Sequence, residues 1–254
     1  LGTVFTRSRF LSSKVSNLIN KTTMLEQSAK LISYSQPVDI EGVENAQDLV
    51  AYTARVSNPS NQANKKTAPR LLSYLAKEKH WSPFEMVSAC LEIVTTRDIA
   101  RQILRHRSFS FQEFSQRYAK QEGKSVVRET RMQDTTNRQN SIEVENDPSI
   151  QLNLKQQEIV TEWRRKQHGI INRSQEVYDW AIENGIAKEQ ARAVLPEGNT
   201  QSTLYMNGTL RSWIHYIDLR SGNGTQKEHR DIAVKCADAL SEAFPMIKEF
   251  LQKN

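Results

Sequence analysis

Apolar residues recur along this chain at two spacings, and each spacing predicts an element. A short run at Leu31 to Ser35, closed by Pro37, predicts a strand. Ala46 to Val56 predicts a helix that ends in the turn-forming run Ser57-Asn58-Pro59-Ser60. Thr67 to Lys79 predicts a second helix, with Pro69 tolerated in its first turn and Leu71, Leu72 and Leu75 as its apolar stripe. Ser82-Pro83-Phe84-Glu85 has the form of a capping box, a hydroxyl three residues before a carboxylate, and predicts the start of a helical turn. Val87, Ala89, Leu91 and Ile93 fall at every second position, as in a strand with one buried face. Arg97 to Arg105 then reads as helix, with Ile99, Ala100, Ile103 and Leu104 inward.

The second half is more helical. Residues 119–150 are polar and poor in aliphatic side chains, which predicts a surface excursion, possible as a lid, with Arg128, Arg131, Arg138 and Asn140 in a solvated loop. Residues 151–183 carry helical periodicity through Ile159, Trp163, Ile170, Val177 and Trp180, a stripe expected to face core or a subunit contact, and end at Asn184-Gly185. A further helix begins near Ala187 and stops before Pro196. Ser202 to Met206 predicts a strand and Leu210 to Leu219 a helix. Thr225 to Phe244 predicts a long helix with Ile232, Cys236 and Leu240 inward. Helix exceeds strand and no linker divides the chain. The expected fold class is therefore α+β, a single domain of antiparallel sheet packed with helices over residues 24–254, carrying a basic N-terminal extension at residues 1–23.

Composition narrows the function classes. At 254 residues the chain can bury a sizeable core unaided, and no run approaches the roughly 20 apolar residues needed to span a bilayer. Two cysteines, Cys90 and Cys236, cannot build a disulfide framework or a cysteine-rich zinc site, so no metal is expected and a cytoplasmic location is. The formal charge of +6 is uneven: residues 1–23 hold Arg7, Arg9, Lys14 and Lys21 and no acid, leaving 31 basic against 29 acidic residues elsewhere. That segment, followed by Met24, reads as an upstream extension, with a transit peptide as the alternative.

The densest chemistry lies between Arg105 and Tyr118, where Arg105, His106, Arg107, Glu113, Ser115 and Arg117 follow an amphipathic helix. Arginine forks recognise phosphate or an imide edge and stay charged at any working pH. Gln102 and Arg105 are three apart and project from one helix face. A solvated basic helix end is the plain reading. Phe109, Phe111, Phe114 and Tyr118 interleave with the cations, so a single-stranded nucleic-acid platform is a second one.

Arg105-His106-Arg107, seven residues and then Ser115 reproduce the RHR-x7-S signature of flavin-dependent thymidylate synthases, and the chain resembles that family more widely. Thr53-Ala54-Arg55-Val56-Ser57, His80 with Ser82-Pro83-Phe84-Glu85, Ala100-Arg101-Gln102, Ala191-Arg192-Ala193-Val194-Leu195-Pro196, and Leu210-Arg211-Ser212 with Leu219-Arg220 follow in family order. The resemblance implies a methyltransferase that reductively methylates dUMP to dTMP with FAD, with NADPH and methylene-tetrahydrofolate as co-substrates. It implies that Gln102, Arg105, Glu113, Ser115, Gln116, Arg117, Arg192 and Arg220 hold dUMP, with Arg220 catalytic against the uracil ring. Ser82, Arg105, His106, Arg107, Glu113, Thr209, Arg211 and His215 would contact FAD. It further implies a homotetramer with shared active sites and no nucleic-acid or membrane partner. A flavoenzyme of the same fold acting on another pyrimidine nucleotide is the alternative. The chain has no GxGxxG fingerprint, so a Rossmann mode is not expected. Cys90 and Cys236 read as buried, inert thiols.

Overall fold

A computed structural model describes residues 23–121, 125–145 and 151–252. Residues 1–22 of the basic extension, and residues 146–150 at the end of the polar stretch, lie outside the described residues. Strands run in the order β1 Thr23–Met24, β2 Ser28–Tyr34, β3 Ser88–Thr96, β4 Ser110–Glu113, β5 Val126–Val127, β6 Arg131–Gln133, β7 Ser141–Glu143 and β8 Gln201–Thr209. Helices are α1 Ala46–Ala54, α2 Ala68–Lys77, α3 Arg97–Ile103, α4 Leu154–Glu183, α5 Lys188–Ala191, α6 Leu210–Arg220 and α7 Lys227–Leu240. The fold class is α+β. Contacts group the described residues into two compact units: one comprises those of 23–26, Thr95–Ala100 and 114–202, the other Gln27–Val94, Arg101–Glu113 and 203–252.

The second of these is built on a four-stranded sheet in the order β2, β3, β8, β4. Antiparallel pairing sets Leu31 opposite Leu91 and Phe111 opposite Met206. Because side chains alternate along a strand, Ala89, Leu91 and Ile93 enter the core together, as their spacing predicts. Helix α6 lies over that core: Trp213 is fully buried and donates its indole N–H to Ala89 O at 3.1 Å. Ile232, Cys236 and Leu240 line the buried face of α7. The turn Ser82–Glu85 forms, but not as a capping box. Trp81 occupies the cap position without a side-chain bond, and the Glu85 carboxylate instead takes a charge-assisted bond from Arg211 at 2.7 Å.

The other unit departs further from the sequence pattern. Within the polar stretch 119–150, β5, β6 and β7 form where a solvated loop was expected, while Arg138 and Asn140 do lie in an exposed turn between β6 and β7. Strand β5 pairs in parallel with β1 and buries both of its valines, and β6 and β7 form an antiparallel hairpin. Arg128 explains the change: its Nη2 donates to both oxygens of Asp98, at 2.6 and 2.8 Å, and to Thr96, while its Nε donates to Gly198 O. Gln167 of α4 completes the lock. Its carboxamide accepts from Arg128 N at 2.8 Å and donates to Arg128 O at 2.9 Å, acting as a surrogate strand edge.

Helix α4 consequently turns much of its apolar stripe outward, away from the core, which leaves subunit contact as the remaining expectation for it. Gln167, Ile171, Tyr178 and Ala181 are buried, whereas Trp163 and Trp180 are 41% and 59% exposed and Ile159 and Ile170 also face outward. The helix ends in a Schellman arrangement, with Ile186 N bonding Ala181 O and Gly185 N bonding Ile182 O, and Gly185 takes the positive φ this requires.

Two packing sites are open to test. A Cβ added at Gly208 would stand 2.4 Å from Phe109 Cδ1, so Gly208→Ala is expected to cost about 1–3 kcal/mol by displacing that ring. Thermal melting would show it, and Phe109→Leu in the same chain should recover part of the loss. Gln167→Leu strips partners from two part-buried backbone groups and is expected to lower unfolding free energy by about 2 kcal/mol or more. Chemical denaturation measures that loss; an unchanged midpoint would mean the lock is idle.

Candidate active site

Helix α3 stops at Ile103, and the chain then turns tightly, with Arg105 N bonding Gln102 O, His106 N bonding Ile103 O and Phe109 N bonding His106 O. Apolar anchors on either side dictate the outcome. Ile103 is fully buried and Phe109 packs edge-on against Trp213 at 4.8 Å, so Arg105 and Arg107 between them point outward and His106 is half-buried. Ser212 fastens the turn to α6 by donating to Ser108 O at 3.2 Å. Phe109 is thereby spent on the core, which removes it from any base-stacking platform.

Arg220, the last residue of α6, donates from Nε to His106 Nε2 at 2.9 Å. An imidazole nitrogen that accepts is unprotonated, so the His106 proton sits on Nδ1. Burial, then Arg220 and then Arg105 hold His106 down to about 4. The ring stands edge-on to Tyr216 at 5.0 Å, one helical turn before Arg220. Among the described residues, none of Arg105, Arg107 and Arg220 has a carboxylate partner. Arg105 and Arg220 therefore both act on a neutral imidazole, and Arg107 is exposed on the same turn.

The other residues expected at a flavin site in this unit have local partners. Ser82 is exposed in its turn, and Glu113 closes β4 opposite Leu204. Thr209 caps α6, its Oγ1 accepting from Ser212 N at 3.3 Å. Arg211 pairs with Glu85, and His215 stands edge-on to Trp81 at 4.8 Å, with burial and then Arg211 lowering its pKa. Gln102 bonds both His229 and Gln226.

Four expected nucleotide ligands lie in the other unit. Ser115 opens a turn by accepting from Tyr118 N and Ala119 N. Gln116 is buried, its amide donating to Gln121 Oε1 at 2.8 Å. Arg117 stacks on Tyr118, and Arg192, just after α5, donates to Glu189 O. Lys188 ties α5 to this segment through Tyr118 O at 3.2 Å. Neither Arg117 nor Arg192 has a carboxylate partner among the described residues. The Arg117 and Arg192 guanidinium groups are thus engaged only with local protein oxygens and the Tyr118 ring.

Sequence reasoning passed over Tyr216, Gln226, Glu228 and His229. Tyr216 precedes Arg220 by four residues, a spacing that marks a shared helix face, but the other three reveal themselves only by contact. Cys236 is buried and Cys90 half-buried; burial raises both thiols, leaving neither suited to act as a thiolate nucleophile.

Residues 31–246 match the family described as "Thymidylate synthase complementing protein". A probable flavin-dependent thymidylate synthase of Paramecium bursaria Chlorella virus 1 is 50% identical over 226 residues, spanning 88% of this chain and 98% of that protein. The flavin-dependent thymidylate synthase of Synechocystis sp. is 44% identical over 226 residues with the same coverage. The crystal structure of the UMP/dUMP methylase PolB from Streptomyces cacaoi shares the fold, with a TM-score of 0.71 at 24% identity over 90% of this chain and 96% of that one. Sequence match, fold and the motif at Arg105 to Ser115 agree: the chain belongs to the flavin-dependent thymidylate synthase family.

Proposed function

We propose that this chain converts dUMP to dTMP by reductive methylation, with FAD as bound cofactor, methylene-tetrahydrofolate as carbon donor and NADPH as reductant. The carrying observation is Arg105 and Arg220 beside a neutral His106, with Arg107 exposed on the same turn and none of the three paired with a carboxylate among the described residues. That donor set fits a flavin dinucleotide, whose pyrophosphate needs fixed positive charge and whose ring system needs a polar edge. Ser82, Arg105, His106, Arg107, Glu113, Thr209, Arg211 and His215 are the proposed flavin contacts. When bound, the flavin supplies the two-electron chemistry that the protein's own side chains lack.

The protein's part is charge and orientation. Arg220 spends one of its five N–H donors on His106, leaving four for a ligand. A guanidinium against the pyrimidine stabilises the negative charge that develops when carbon 5 becomes nucleophilic. His106 holds that guanidinium in place without neutralising it. Gln102, Arg105, Glu113, Ser115, Gln116, Arg117 and Arg192 are the proposed dUMP ligands, with Arg117 and Arg192 on the phosphate. We place the enzyme in the cytoplasm as a homotetramer with shared active sites. The outward stripe Ile159, Trp163, Ile170 and Trp180 on α4 supports self-association, and no helix among the described residues is long and apolar enough to cross a membrane.

Purified protein should show a flavin absorbance band and release tritium from carbon 5 of dUMP only with folate present, with dTMP as the product by mass. UMP serving equally well would point to the methylase alternative. Arg220→Ala is expected to lower dTMP formation by about a hundredfold or more while flavin content stays within about twofold. Equal loss of both would make Arg220 a cofactor or fold residue.

The Arg220–His106 pair also sets a pH dependence. Above the ordinary histidine value of 6.5 the ring is neutral in folded and unfolded chains alike, so it contributes no slope. As pH falls the unfolded chain takes the proton first, so the stability that His106 contributes declines from about 6.5 and its share of the decline ends below about 4. Denaturation at stepped pH should show that decline, flattened by about one proton in His106→Gln.

A further inference from the structure

Beneath the Arg220–His106 pair lies a second polar chain that the reaction as described leaves unused. Glu228, in the first turn of α7, is buried; Gln226 Nε2 donates to its Oε2 at 2.9 Å. Gln102 Nε2 donates to Gln226 Oε1 at 2.8 Å, and Gln102 Oε1 meets His229 Nδ1 at 3.1 Å. The ring of His229 is 0% exposed, its Nε2 has no hydrogen-bond partner, and it lies 6.2 Å from His106 and 5.8 Å from Tyr216.

Carboxamides are nearly symmetric in shape, so their orientation has to come from the partners. A carboxylate only accepts, which forces the amide nitrogen of Gln226 onto Glu228 and its oxygen toward Gln102. That oxygen in turn demands the amide nitrogen of Gln102, and the remaining Gln102 oxygen demands a donor from His229. Direction therefore propagates from one buried carboxylate through two carboxamides to an imidazole. His229 must carry a proton on Nδ1, and its buried Nε2 has no acceptor for a second one. Burial, then Arg220 and then His106 hold it down to about 3, consistent with a neutral ring at working pH.

We propose that His229 is a positioning residue, the end of a one-way hydrogen-bond relay that locks the Gln102 carboxamide so that its unspent N–H, not its carbonyl, is offered to an oxygen acceptor of the bound nucleotide. Gln102 Nε2 has two protons and Gln226 takes one; the other is the group on offer. The proposal rests on the reading of this site as one that binds dUMP.

Selective nitrogen-15 labelling of histidine tests the relay in the flavin-loaded protein without nucleotide, and five histidines make assignment tractable through His229→Asn. The expected signal for His229 at pH 7 is the neutral Nδ1–H tautomer; the Nε2–H tautomer or an imidazolium overturns the proposal. In kinetics, His229→Leu should raise the KM for dUMP about tenfold, with kcat changed less than about threefold and flavin content unchanged. His229→Asn, whose amide nitrogen falls near the place of Nδ1, should restore KM to within about threefold. An unchanged KM in His229→Leu, or equal damage in both variants, overturns the positioning role. If His229→Leu fails to fold, the tautomer and His229→Asn still decide. Wild-type protein that makes no dTMP would sink the reaction reading by itself, whereas the tautomer decides the relay independently.

Discussion

The arrangement at the end of α3 depends on positive charge that the protein gathers and does not neutralise. Like-charged guanidinium groups repel. Apolar anchors hold the backbone that carries them: Ile103 and Phe109 flank Arg105 and Arg107 on the turn, and Trp213 and Tyr216 seat α6, which ends at Arg220. Each buried anchor contributes about 1.5–3 kcal/mol, enough for the core to carry an electrostatically unfavourable loop. An anion entering such a site supplies the missing counter-charge, so occupancy and stability are thermodynamically linked.

The choice of a histidine beside Arg220 follows from the same constraint. A carboxylate at position 106 would hold the guanidinium just as firmly, but it would cancel the charge that makes the group useful against a developing anion. A neutral imidazole accepts one N–H, fixes the fork and leaves the charge intact. The surrounding cations keep the ring neutral, so the pair is self-consistent: Arg220 depresses the pKa of His106, and the deprotonated His106 orients Arg220.

Where local spacing and tertiary packing agree, the chain was legible. Strand β3 and helices α1, α2, α6 and α7 follow their apolar periods, and the motif at Arg105 to Ser115 marks a loop whose flanks are apolar. The failures share a cause. Gln167 and Arg128 are polar by composition and structural by contact, because each satisfies groups about forty positions away, a pairing no local window can see. Glu85 resembles a capping carboxylate until Arg211, far along the chain, offers a stronger partner. Gln116 belongs to the family motif, yet its amide is spent on Gln121 inside its own unit. His229 is silent for the same reason: it occupies an ordinary buried helix register, and only Gln102 and Glu228 give its nitrogens a direction.

Helix α4 carries the argument to assembly. A helix on a lone globule turns its apolar stripe inward, because the stripe is what burial rewards. Here the inward face bears Gln167 and the Tyr178 hydroxyl, each bonded to backbone of the polar segment, while two tryptophans and two isoleucines face out. Polar groups won the interior because they satisfy buried backbone that no aliphatic side chain could, at a cost of about 1–3 kcal/mol for each group left unmet. The outward stripe is then apolar area left for another surface to cover. The homotetramer proposed above would cover that stripe with a second copy.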